Sequence, residues 1–190
     1  RSVSERIAEK VVEGIPGKGP ILVNSAGCGA MMKEYGKLLK TDKAKKFSER
    51  VFDVHEWIAK NHELPDKIEK KEHLVVQDPC HLRHAQKSHQ FVREVLSPFA
   101  ELIELPDEGL CCGAGGAFSV SQKQLSTEIR GLKSKVLVEA MGEGEKLRVV
   151  SANPGCVTHL QAEGFELKHP LEVVAEYVTE MNGTNEMNKF

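Results

Sequence analysis

Every cysteine in this 190-residue chain stands just past a short apolar run, and no other feature restricts the fold as much. Ile21-Leu22-Val23-Asn24 leads to Cys28, Leu74-Val75-Val76-Gln77 to Cys80, Leu102 to Leu105 to Cys111 and Cys112, and Val149-Val150-Ser151-Ala152 to Cys156. Runs this short, bounded by Pro, Gly or charged turns, read as buried strands, with Leu147 to Val150 as the core of the last. Helical patterns separate them: Ser2 to Ile15, Cys28 to Leu39, Lys43 to Lys60 with Phe47, Val51, Val54 and Ile58 at helical spacing, Gln86 to Leu96, Gln122 to Met141, and Cys156 to Gly164. Phe165 to Lys168, then His169-Pro170 and a helix from Leu171 to Met181, add one more unit. Strands alternating with helices predict an α/β domain around a mostly parallel sheet flanked by helices. In such a sheet the loops beyond the strands' C-terminal ends converge, and ligands bind there. Independent thiols would have no reason to share that edge.

The spacing of the thiols says what they are for. Between Cys80 and Cys111 lie 30 residues and between Cys112 and Cys156 lie 43, too far for a local zinc knuckle, so a finished tertiary structure must assemble the set. Five cysteines, two of them adjacent, fit a reducing cytoplasm better than a secreted disulfide framework. Cys80, Cys111, Cys112 and Cys156 are therefore the expected ligands of a metal or cluster. Four thiolates suffice for a [4Fe-4S] cube or for tetrahedral zinc, and iron–sulfur is the preferred reading with zinc as the alternative. Cys28 is either a free thiol or a fifth ligand. His81 either bonds a cluster sulfur, replaces a ligand, or bonds backbone. His84 and Gln86 share the Cys80 turn and are expected to cap or line it. His159 and His169 stand near the expected site edge, with structural roles as the plainer reading. Gly113-Ala114-Gly115-Gly116 lacks a P-loop ending and a dinucleotide spacing; its expected task is to let backbone amides approach the thiolates. Pro154-Gly155 is expected to make a tight turn that points Cys156 inward. No triad or paired-carboxylate catalytic site is readable.

A net charge of −2 without long one-sign blocks argues against nucleic-acid binding. No apolar run reaches the roughly 18 residues of a membrane span, and no signal segment opens the chain, so a soluble protein or soluble portion is expected. The first residue is Arg1, within an already amphipathic segment, which suggests the C-terminal portion of something longer. Hydrophobic residues make up 40% of the chain, enough for one domain or a domain and a half. A short internal repeat supports the larger count: with Cys28 set on Cys156, Ser25 matches Asn153, Gly27 matches Gly155 and Gly36 matches Gly164. The expected division is a remnant of a first copy at 1–62, a charged linker at 63–72, a second copy at 73–181, and a flexible tail at 182–190.

Asp78-Pro79-Cys80-His81-Leu82, Cys111-Cys112-Gly113-Ala114-Gly115-Gly116 and Asn153-Pro154-Gly155-Cys156, in that order, resemble the cysteine-rich CCG-domain family, in particular the branch in the C-terminal part of glycolate oxidase iron-sulfur subunits. Gly27-Cys28-Gly29-Ala30-Met31-Met32-Lys33-Glu34-Tyr35-Gly36 is similar to the close of that branch's first CCG domain. Lactate-utilisation proteins and heterodisulfide reductases carry related domains. The resemblance implies a Rossmann-like fold and an electron-transfer subunit of a flavin-dependent 2-hydroxy-acid oxidase. It also implies a flavoprotein partner, an indirect link to the membrane quinone pool, and a cytoplasmic place, peripheral at the inner membrane face through partners. The family's N-terminal ferredoxin-like cysteine runs are absent here. The fullest CCG pattern ends in Cys-x-x-Cys and gives five thiolates to a non-cubane cluster; Asn153 stands at the first of those positions, which speaks against that cluster and against disulfide-reducing chemistry.

Overall fold

The computed structural model describes residues 2–65, 72–142 and 147–187. Most of the expected linker, 66–71, lies outside them. In the first block a capping box joins Ser2 and Glu5 at the start of α1 (Val3–Gly14), each side chain taking the other's backbone N–H. β1 (Ile21–Val23) pairs in parallel with β2 (Val51–Asp53) as a two-stranded sheet. Between them run α2 (Ala26–Lys33), α3 (Tyr35–Leu39) and α4 (Asp42–Ser48), and α5 (Val54–Asn61) follows. Ala8, Val12, Ile21, Tyr35, Ala44, Phe47 and Val51 form this block's core.

The single helix expected over Lys43 to Lys60 is two helices with a strand between them. Thr41 Oγ1 caps α4 through the Ala44 N–H, and Asp53 Oδ1 caps α5 through the His55 N–H, so each helix has its own start signal. The three residues between the helices gain more from pairing with β1 than from continuing a helix. The helix expected over Cys28 to Leu39 is likewise two, and it begins at Ala26, which puts Cys28 in the first turn of α2.

The second block holds a four-stranded, all-parallel sheet in the order β4 (Ala100–Glu104), β3 (Glu72–Val76), β5 (Arg148–Val150), β6 (Leu167–Lys168). The chain leaves β3 for one neighbour and returns past it to the other. The chain's direction therefore reverses at β3, and a crevice opens beyond the C-terminal ends of β3 and β5. Successive side chains of β3 serve opposite faces, as strand geometry requires. Leu74 and Val76 pack with Val92 and Leu96 of α6 (Gln90–Leu96) and Val173 of α10 (Pro170–Met187). Val75 packs on the other face with Leu137 of α8 (Lys123–Met141) and Leu160 of α9 (Pro154–Gln161). Both faces are covered, which is why these strands read as continuous apolar runs.

Further boundaries differ from the sequence reading in this block. The helix expected over Gln86 to Leu96 is a π-helical turn, His81–Gln86, followed by α6. A short α7 (Phe118–Ser121) precedes α8. The last helix continues to Met187, six residues into the tail expected to be flexible; residues 188–190 lie outside the described ones. Pro154 and Gly155 form no separate turn but open α9, with Pro at a position whose missing N–H costs nothing. No helix among the described residues is long and apolar enough to cross a membrane.

The two blocks touch along the edge that bears the cysteines. Ser25 Oγ donates to Asn153 Oδ1 at 3.0 Å, and Gln86 Nε2 donates to the Ala26 carbonyl at 2.8 Å. His169 Nε2 lies 3.0 Å from the Asn24 carbonyl, and the His169 ring stacks on His55 with centroids 5.3 Å apart.

Candidate metal or cluster centre

Two of the cysteine loops, those of Cys80 and of Cys111 and Cys112, are held by buried polar groups. The Cys80 loop rests on Asp78, which is 5% exposed and receives Arg93 Nη1 and Nη2 at 2.8 and 3.0 Å and Arg83 Nη1 at 2.9 Å. Gln77 fastens the same loop to the end of β5: Ser151 Oγ donates to its Oε1 at 2.6 Å, and its Nε2 donates to the Asp78 carbonyl at 2.6 Å. The Cys111–Cys112 loop is pinned to α8 by the Lys133–Asp107 ion pair and by Ser126 Oγ, which donates to the Gly113 carbonyl at 2.8 Å. Gly113 has φ +87°, and a Cβ there would come within 2.5 Å of the Ser126 carbonyl oxygen, so glycine is required both by conformation and by space. Sequence reasoning singled out none of Asp78, Arg93, Asp107 or Lys133 as supports.

These anchors bring the expected sulfurs together. Cys112 Sγ donates to Cys156 Sγ at 2.8 Å, and Cys111 lies close enough to Cys80 and to Cys112 for the thiols to shift one another's proton affinity. The four sulfurs thus run in a row, Cys80, Cys111, Cys112, Cys156, drawn from the ends of β3, β4 and β5. Cys112 and Cys156 are buried and Cys80 and Cys111 partly so; all five cysteines are free thiols. Among the described residues no three of His, Cys, Asp or Glu converge as a single metal ion would require.

The protons are shared unevenly along the row. The neighbouring thiols, Cys112 and then Cys80, pull the Cys111 thiol far below its ordinary value, and the Gly113 N–H, 3.3 Å from its sulfur, assists. Cys156 is lowered in the same way by Cys112, against its burial, with help from Asn153 Nδ2 at 3.2 Å. Cys80 and Cys112 are pushed up, each first by the neighbouring Cys111 thiol, and burial adds to both. The Gly113 amide is the contact expected of the glycine run, and the Ala114 amide makes the matching one to Cys112. Cys156 also lies in the first turn of α9, where the helix dipole favours an anion.

A pocket of about 430 Å³ opens over the row. Ser25, Gly27 and Cys28 of the first block line it together with Asn153, Gly155, Cys156, Cys80, His81 and Cys111. Cys28 thus lines the same pocket, with no hydrogen bond to the other sulfurs among the described residues. His81 Nδ1 lies 3.6 Å from Cys80 Sγ. The remaining candidates are structural neighbours. Gln86 reaches α2 instead of lining the Cys80 turn, and His84 lies against Gly109 of the Cys111 loop. His159 Nε2 is 3.2 Å from Ser126 Oγ, and His169 holds the junction between blocks.

The sequence profile of the cysteine-rich domain family (CCG) matches residues 74–161, a span that contains all four sulfurs of the row. This segment is a CCG cysteine-rich domain. Over 169 residues the chain is 35% identical to the glycolate oxidase iron-sulfur subunit of Escherichia coli (strain K12), covering 84% of this chain and 40% of that protein. It is 29% identical over 150 residues to the probable glycolate oxidase iron-sulfur subunit of Bacillus subtilis (strain 168), covering 74% of this chain and 33% of that protein. Lactate utilization protein A of Bacillus pumilus (strain SAFR-032) is 24% identical over 177 residues, 89% of this chain and 73% of its own length. The chain therefore spans less than half the length of the glycolate oxidase relatives it matches. No solved structure matches it. The CCG fold is the expected α/β one, with the cysteine loops at the switch point of its parallel sheet.

Proposed function

We propose that the CCG domain holds an iron–sulfur cluster, a [4Fe-4S] cube, through Cys80, Cys111, Cys112 and Cys156, and that the chain is the electron-transfer part of a glycolate oxidase complex. The observation that carries this reading is the row of four sulfurs gathered from three separate loops at the sheet's switch point. The donor set fits the group: sulfur lines the pocket wall, no carboxylate does, and backbone amides of Gly113 and Ala114 aim at two of the sulfurs. Such a cluster supplies one-electron transfer. The chain's own residues hold the thiolates, donate hydrogen bonds to them and limit the access of water. Nothing in the arrangement favours the zinc alternative, and Asn153 in place of a second thiol in Cys-x-x-Cys disfavours disulfide reduction.

The names of the relatives support the partner assignment: an iron-sulfur subunit of an oxidase needs a subunit that oxidises the substrate. A flavoprotein subunit takes that part, delivering electrons that pass toward the membrane quinone pool from the cytoplasmic side. The first block, 1–62, is the closing part of an earlier CCG copy, joined through 63–72 to the copy at 73–181. One contact and one likeness in strand order support this duplication. Ser25 and Asn153, which match in the repeat, hydrogen-bond to each other, and the parallel pair β1 and β2, like β5 and β6, runs from a Gly-Cys helix start to a histidine.

The test is a series of single serine substitutions in protein reconstituted without oxygen. Cys80→Ser, Cys111→Ser, Cys112→Ser and Cys156→Ser are each expected to lose most bound iron and labile sulfide, while Cys28→Ser retains them. Full retention in all four would overturn the ligand assignment.

A further inference from the structure

Lys133 is the one lysine or arginine buried among the described residues, with 0% exposure halfway along α8. Its ammonium meets Asp107 Oδ2. Asp107 in turn orders the loop that leads to Cys111: its Oδ1 accepts the Gly109 N–H and its carbonyl the Leu110 N–H, each at 3.1 Å. Anchoring alone does not call for charge. Bringing two ions out of water is costly, and a well-packed apolar pair of similar volume generally holds a loop at least as firmly. What the ion pair offers beyond anchoring is an oriented field in a medium that screens poorly. That medium borders the sulfurs. Leu137, one turn along α8 from Lys133, belongs to the same buried cluster as Cys112 and Cys156.

We infer that Lys133 is a fixed cation that raises the electron affinity of the centre held by the four cysteines, with Asp107 both orienting and moderating it. The inference rests on the iron–sulfur reading above. Reduction adds one electron to the cluster and its thiolates, with no bond broken and no proton transferred, so the site becomes more negative by one charge. The donor is reduced flavin in the complex, or dithionite in the test. A buried ammonium stabilises the more negative state, and its carboxylate partner opposes it.

The experiment is a redox titration of the anaerobically reconstituted chain, followed by electron paramagnetic resonance, with iron and sulfide content measured for every variant. Lys133→Met keeps an unbranched side chain of similar length and is expected to make reduction about tenfold less favourable, a midpoint shift of about −59 mV for one electron. Asp107→Asn leaves the ammonium unopposed and shifts the midpoint the other way, while Lys133→Arg stays near wild type. A purely structural ion pair predicts shifts of one sign, or only lost iron, in both Lys133→Met and Asp107→Asn. Shifts of one sign, or shifts under threefold in both, overturn the inference while the cluster stands. Should Lys133→Met fail to fold, the positive shift of Asp107→Asn and the retained potential of Lys133→Arg decide it. A wild-type chain that takes up no iron or sulfide overturns the iron–sulfur reading and this inference together.

Discussion

Asp78 shows how much of the centre depends on residues that never touch it. The carboxylate is nearly buried, takes three hydrogen bonds from two arginines, and sits two residues before Cys80. Removing it strands Arg93 and Arg83 at a site built for their neutralisation. Breaking a buried pair by deleting one partner generally costs about 3–5 kcal/mol, and the low end applies because both arginines keep some water and Arg93 keeps Glu104. Asp78→Ala is therefore expected to lower stability by about 3 kcal/mol in urea unfolding, with Asp78→Asn losing less. The cysteines were legible in the sequence because thiols are few and their spacing is informative. Asp78 with Arg93, and Lys133 with Asp107, were not: the partners lie 15 and 26 residues apart, and only the folded chain distinguishes a buried lysine from the exposed ones around it.

At the scale of elements, the strand ends were readable and the interruptions were not. The apolar runs before Cys80 and Cys156 became strands with both sheet faces covered, so their composition needed no partner to interpret. β2 was hidden because Phe47, Val51, Val54 and Ile58 also satisfy helical spacing, and its pairing with β1 is a tertiary choice. The signals that would have exposed it are Thr41 and Asp53, each a helix start. Behind β2 and β6 lies the histidine junction, which makes a prediction about pH. Burial, and then the neighbouring His55, lower the pKa of His169 from its ordinary 6.5; its Asn24 contact and the charges of Asp53 and Glu172 oppose this. Below pH 6.5 the unfolded chain therefore binds the proton more readily than the folded one, and stability falls with pH until the folded-state pKa is passed. Above 6.5 this contribution is fully present. The urea midpoint of the metal-free chain should decline from pH 7 toward pH 5, and His169→Asn should flatten that slope by up to about 1.4 kcal/mol per pH unit. A slope unchanged in the variant would show that His169 is not the titrating group.

At the scale of the molecule, the strand order explains why sulfurs so far apart in sequence meet. β3 has neighbours on both sides, β4 and β5, and all three run in parallel, so their C-terminal loops open onto one crevice. The first block adds to that crevice, with Ser25, Gly27 and Cys28 lining the same pocket as Asn153, Gly155 and Cys156 and Ser25 bonded to Asn153. The α/β class and the shared edge were readable because they follow from the order of the runs. The first block's addition to it was not, since it depends on how two blocks pack. The central claim is that this assembled sulfur set binds one iron–sulfur cluster. Its most direct test is iron and acid-labile sulfide analysis of the chain reconstituted and desalted without oxygen. One cube per chain predicts about four iron and four sulfide. Stoichiometric zinc without sulfide, or thiols that remain fully titratable with no metal bound, would contradict it.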